Sequence, residues 1–126
     1  GNAFHALAGV SGHAGLFSTV PDLLSLAAAL ASPHDDLWSP AVAAEFFAQG
    51  PDAGQALGFR RYAMDLDGDP TVVVGHPGYT GSVIGFVAGR GVALVLATNR
   101  LHAPGVPAVT DRLWAIARDA ASVALA

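Results

Sequence analysis

His76-Pro77-Gly78-Tyr79-Thr80-Gly81 separates two runs of β-forming residues, Thr71-Val72-Val73-Val74 before it and Ser82-Val83-Ile84-Gly85-Phe86-Val87 after it. The pattern reads as one strand ending, a turn eased by glycine, and a second strand returning. Gly75, Gly78 and Gly81 interrupt what is otherwise β-branched sequence. Glycine within strands is tolerated where the backbone bends or a ligand comes close. Pro77 has no N–H to give to a ladder, so it belongs at an edge or facing an open groove. Two readings fit. One is a strand edge with exposed backbone donors, headed by His76 with the Thr80 hydroxyl close by, able to hold an extended substrate or an oxyanion. The other is a glycine-rich bulged hairpin with a surface histidine. The residues alone leave both open.

On the N-terminal side of this motif, residues 57–64 and 71–74 read as strands joined by a turn over Asp65-Leu66-Asp67-Gly68-Asp69-Pro70. Residues 82–88 and 92–98 read as a second pair, joined by Gly89-Arg90-Gly91. Val92-Ala93-Leu94-Val95-Leu96-Ala97 is apolar without alternation, as in a strand covered on both faces. Upstream, Thr19 and Asp22 form a helix-start pattern with Pro21 in the first turn. Leu23, Leu26, Ala27 and Leu30 follow at helical spacing, and Ser32-Pro33 stops them. Ser39-Pro40 opens a second helix with Val42, Phe46 and Phe47 inward and Gly50-Pro51 as its stop. Residues 9–15 carry three glycines and read as a tight loop, either a connector or a site lining. Residues 107–123 predict a last helix with Leu113, Ile116, Ala117, Ala120 and Val123 on its buried side. The expected architecture is α+β: an antiparallel sheet with a C-terminal helix packed on one face.

With 126 residues the chain has the size of one domain. Its 52% apolar and 13% charged residues argue against disorder. A net charge of −4 and scattered arginines give no footprint for nucleic acid. No apolar run approaches the roughly 20 residues that cross a bilayer. The absence of cysteine excludes disulfides and thiolate metal sites. Gly1-Asn2-Ala3-Phe4 has neither a basic start nor an initiating Met, so the sequence reads as one that begins inside a larger protein.

All six basic residues are arginine, so no Ser-x-x-Lys pair can exist here. The Gly-x-Ser-x-Gly elbow is absent too, because Ser11 is followed by Gly12-His13. Among His5, His13, His34, His76 and His102 no pair has the i, i+4 spacing of a helical zinc site. Residues 65–69 place glycine fourth rather than sixth, and His76 stands where a calcium loop needs its closing Glu. They read as a polar turn. No metal and no cofactor are expected.

From Gly75 to Trp114 the chain resembles the C-terminal part of the class C β-lactamases, penicillin-binding proteins and related serine esterases. In that family a Lys-Thr-Gly or His-Thr-Gly box is followed by x-Thr-Gly, two further strands and a helix opened by proline. Here the box is His76-Pro77-Gly78, then Tyr79-Thr80-Gly81. Asn2-Ala3-Phe4 and residues 12–23 (GHAGLFSTVPDL) resemble the family's Gly-Gly-Leu-x-Ser-Thr-x-x-Asp-Leu segment. The resemblance implies the C-terminal part of a β-lactamase/transpeptidase-like fold, with residues 1–126 a single partial domain. It implies that His76 supports substrate binding and proton transfer, and that the Tyr79 N–H is one of two oxyanion donors. Gly78 would let the acyl group approach, and Thr80 and Gly81 would continue the substrate-side wall. His76 in place of Lys makes the charge depend on its surroundings. Pro77 in place of Thr removes a hydroxyl that commonly meets a substrate carboxylate.

Two functions follow. In the first, the chain is part of a serine hydrolase that cleaves an ester or amide, β-lactams and D-amino-acyl peptides included, by acyl transfer. Its nucleophile would lie in a missing N-terminal portion, and the isolated chain would be inert. The family's sheet has two strands before the nucleophile, so an unpaired sheet edge, an uncovered side of the first helix and self-association are expected. In the second, the chain is a non-catalytic binding or interaction module of the same fold.

Overall fold

Asp67 and Gly68 both take positive φ, 54° and 77°, as a two-residue hairpin turn of the I′ kind demands. They join β1 (Arg60–Leu66) to β2 (Asp69–Pro77), and Leu66 faces Asp69 across the closed end. Gly68 N–H donates to Asp65 Oδ1 at 2.7 Å, so the acidic cluster serves the turn itself. β3 (Val83–Val87) and β4 (Val92–Leu96) continue the meander, giving one antiparallel sheet in the order β1-β2-β3-β4. The computed structural model describes residues 2–10, 12, 14–32 and 37–125. Among these, four helices accompany the sheet: α1 (Asn2–Ala6), α2 (Val20–Ala31), α3 (Pro40–Phe47) and α4 (Thr110–Leu125). A single 3₁₀ turn (Arg100–His102) lies between β4 and α4. The fold is α+β, as the residue pattern predicts.

Alternation along the strands divides the core into two layers. Val73, Val83, Val87 and Leu94 face α4, where they meet Leu113, Trp114 and Ala121. Val74 and Phe86 face the other way, against Leu30 and Ala31 of α2 and Ala43 and Phe47 of α3. Trp38, Phe46 and Phe59 surround this second layer, and Phe47 packs edge-on against Phe86 with ring centroids 4.8 Å apart. Aromatic edges of this kind add about 0.5–1.5 kcal/mol to plain burial.

Two of the three hairpin tips are tied to helices. Gly89 N–H donates to Ala31 O at 2.7 Å, satisfying a carbonyl at the end of α2. Asp67 N–H donates to Ser122 Oγ of α4 at 3.2 Å. The helix starts follow the sequence signals: Thr19 Oγ1 accepts from Asp22 N–H, and Ser39 Oγ accepts from Val42 N–H.

Several boundaries and faces differ from the sequence expectation. β1 starts at Arg60 rather than residue 57, because Gly58 (φ 76°) bends the chain away before it. β2 runs through Gly75 and His76 to Pro77, although the sequence pattern ended it at residue 74. α3 closes at Phe47, before Gly50, and buries Ala43 and Phe47 while Val42 stays exposed. α4 begins at Thr110 and buries Leu113, Trp114, Ala117 and Ala121, leaving Ile116 and Val123 in solvent. The reason is Trp114, whose indole takes the hollow above a glycine pair and sets the rotation of the helix. β4 has α4 on one face and α2 on the other, with Leu94 its fully buried residue. The glycine loop is exposed at Val10, Gly12, Ala14 and Gly15, while Ser11 and His13 lie outside the described residues. So do Pro33 and His34. Helix α1 was not foreseen by the sequence pattern.

Candidate functional site

His76 stands near the end of β2, opposite Ile84, on the sheet face that carries α2 and α3. Its side chain is exposed. β1 ends opposite Gly75, so His76 and Pro77 extend past it with no strand alongside. The direction of their backbone groups follows from the ladder. Arg61 N–H donates outward to Gly54 O at 3.0 Å, so Arg60 turns its polar groups inward to Gly75. Alternation then directs those of His76 to β3 and those of Pro77 to the open side. Proline therefore sits where its missing N–H leaves no ladder bond unmade, at a sheet edge, one of the two settings the sequence reading allows.

The turn that follows is held by its own backbone. Gly78 N–H donates to Ser82 O at 2.6 Å, and Gly81 N–H donates to Gly78 O at 3.0 Å. Gly78 is half-buried, and a Cβ there would come within 3.3 Å of Ser82 O, a close but adjustable approach. Gly81 is buried with φ 114°, and a Cβ would collide with Thr98 Oγ1 and press on Arg100 Cγ at 3.1 Å. Its glycine character is thus explained by packing inside the turn. Tyr79 and Thr80 are exposed. Among the described residues the N–H groups of Tyr79 and Thr80 have no acceptor, while their carbonyls are both taken by Arg100. A turn with its carbonyls engaged and its N–H groups free is a donor surface, suited to negative charge on a ligand.

The sequence singled out His76, Gly78, Tyr79, Thr80 and Gly81, and the fold brings all five to one strand end. It missed Arg100 and Thr98. Arg100 Nε donates to Tyr79 O at 2.7 Å and Nη1 to Ala108 O at 2.6 Å, and Thr98 Oγ1 donates to Gly81 O at 2.8 Å. The available signal was Thr98-Asn99-Arg100 itself, a polar triplet directly after the apolar run of β4. Gly75, by contrast, serves the core: it pairs with Gly85, and Trp114 lies against both.

A separate groove of about 650 Å³ lies between β1 and α4, lined by Tyr62, Met64, Asp111, Trp114 and Arg118 among others. Tyr62 and Trp114 pack there at a tilt of 38°, with ring centroids 4.2 Å apart. Burial pushes the Tyr62 phenol above its ordinary value, with Trp114 as the main opposing influence. Trp114 Nε1 is buried without a partner in hydrogen-bonding geometry. Among the described residues no three His, Asp or Glu side chains converge to hold a metal, and no helix is long and apolar enough to cross a membrane.

Fold and strand end together define an α+β protein that presents backbone donors beside a histidine at the margin of an antiparallel sheet. The Beta-lactamase family profile matches residues 1–119, and the chain belongs to that family. Comparison with curated proteins and with solved structures gave no match.

Proposed function

We propose that the chain is the C-terminal portion of a class C-like, β-lactamase-related serine hydrolase, forming the substrate-side wall of an acyl-transfer site. The observation that carries this reading is the Tyr79 N–H on the turn beside His76, which among the described residues has no acceptor and lies next to a lane no strand occupies. In the reaction a serine hydroxyl from the N-terminal portion attacks an ester or amide carbonyl and loses its proton to a base. The tetrahedral oxyanion is stabilised by the Tyr79 N–H, collapse expels the alcohol or amine, and water then cleaves the acyl-enzyme. His76 supports substrate binding and proton transfer, Gly78 leaves room for the acyl group, and Thr80 and Gly81 continue the wall. An ester or amide lacking a carboxylate next to the scissile bond fits best, since Pro77 offers no hydroxyl there.

Two surfaces agree with a missing N-terminal portion. Leu16 and Phe17 are almost fully exposed, with Val20, Leu24 and Leu26 partly so along α2. β4 is an edge strand whose five residues are all apolar, without the charge or proline that usually guards such an edge. The N-terminal portion would cover both, and a second copy would do so in its absence.

A serine-directed acylating probe tests the proposal. The 126-residue chain should take no label, while a longer chain with Ser-x-x-Lys should be labelled at that serine. Labelling of the short chain, or an inert longer chain, would contradict it. A cooperative melt by a monomer that stays monomeric at high concentration would instead favour the non-catalytic module.

A further inference from the structure

Three consecutive carbonyls in the 79–81 turn are held from one side by residues 98–100. Arg100 Nε donates to Tyr79 O at 2.7 Å, Arg100 N–H to Thr80 O at 3.2 Å, and Thr98 Oγ1 to Gly81 O at 2.8 Å. The Arg100 guanidinium carbon also lies 5.4 Å from the centroid of the Tyr79 ring, within cation–π range. Its Nη1 meanwhile reaches Ala108 O at 2.6 Å, just before α4. One side chain thus spans two backbone carbonyls 29 residues apart in sequence, Tyr79 and Ala108 (108 minus 79).

A trans peptide carries its N–H opposite its C=O, and among the described residues no peptide bond is cis. Drawing the Tyr79 carbonyl towards Arg100 therefore turns the Thr80 N–H away from it. Engaging the Gly78 carbonyl with Gly81 N–H likewise turns the Tyr79 N–H outward. Donors aimed in advance stabilise developing charge without reorganising at the moment of reaction. A charged donor on a carbonyl is a stronger hold than a neutral one. Arginine suits the task because its rigid fork presents Nε and Nη1 in fixed relation, which a lysine ammonium cannot do.

We propose that Arg100 is a positioning residue: its side chain fixes the Tyr79–Thr80 peptide and so aims the Thr80 N–H, and by holding that middle peptide of the turn it steadies the Gly81 N–H to Gly78 O bond that aims the Tyr79 N–H. The proposal rests on the reading of Tyr79 as an oxyanion donor, but its geometric part is tested separately. Amide hydrogen exchange by NMR on the 126-residue chain compares wild type with Arg100→Ala and Arg100→Lys. Gly81 N–H should exchange at least about tenfold faster in both variants, with shifted Tyr79 and Thr80 resonances, while Phe86 and Leu94 keep wild-type protection. Unchanged Gly81 exchange in Arg100→Ala would overturn the proposal. Should that variant unfold, Arg100→Lys decides alone. In a longer chain with the nucleophile, Arg100→Lys should lower kcat about tenfold or more with KM unchanged. A raised KM with kcat intact would refute the positioning role. If the wild-type longer chain hydrolyses nothing, the functional reading fails while the exchange data still judge Arg100.

Discussion

Gly75 and Gly85 are direct partners across the β2–β3 ladder, and the indole of Trp114 lies on the surface they leave bare. A Cβ on Gly85 would meet Val73 Cγ1 at 2.8 Å and the Trp114 ring at 2.9 Å; one on Gly75 would strike the Ile84 carbonyl oxygen. Two absent side chains therefore make the seat for the largest side chain of α4.

Gly85→Ala should destabilise the chain by about 1–3 kcal/mol, the usual penalty for overfilling a packed core. Trp114→Ala should lose about 3–5 kcal/mol by emptying the seat. Urea titration followed by far-UV circular dichroism measures both. A Gly85→Ala variant as stable as wild type would mean that Trp114 moves freely over the sheet.

Tyr62 gives the fold a weakness in alkali. Its phenol is raised above its ordinary value, chiefly by burial, so the native state holds its proton where the unfolded chain has lost it. The unfolded state then binds fewer protons, and stability falls as pH rises beyond the ordinary tyrosine value of about 10. Below that value both states are protonated and the contribution is fully present. Tyr62→Phe should flatten this slope in urea midpoints taken between about pH 8 and pH 11. An identical slope in the variant would assign the effect elsewhere.

The starts of α2 and α3 rest on single hydroxyls. Thr19→Ala and Ser39→Ala remove the acceptors of Asp22 N–H and Val42 N–H and should each cost about 1 kcal/mol. Thr19→Ser and Ser39→Thr should restore most of it. Thermal melts of the four variants check the pairing.

His76 is solvent-exposed at a strand end, so His76→Ala should leave stability within about 0.5 kcal/mol of wild type. Acylation of a longer, nucleophile-bearing chain should nevertheless slow. A marked drop in melting temperature would make His76 a structural residue instead.

Much of the fold was legible because the signals were local. Thr19-x-x-Asp22, Ser39-Pro40 and Asp67-Gly68 each specify their helix start or turn within a few residues. The rotation of α4 was not legible: Leu113, Ile116, Ala117, Ala120 and Val123 make a plausible apolar stripe. What overrides it is a hollow built by Gly75 and Gly85 on two strands distant in sequence from Trp114. The candidate site divides the same way. Its five residues, all within the stretch 76–81, were visible as a motif, whereas Arg100 acts through backbone carbonyls, which carry no signature of their own.

Pro77 has a further consequence. A ladder forms when each side both gives and takes, and at Pro77 itself the sheet can only take: that residue turns a carbonyl to the lane and has no hydrogen to return. The lane is hard for a lengthened β1 or a passing strand to zip shut, which keeps it open as a property of composition rather than of circumstance. A guest lying along it therefore finds at Pro77 an acceptor with no donor beside it, the reverse of what the Tyr79 N–H offers one step further on.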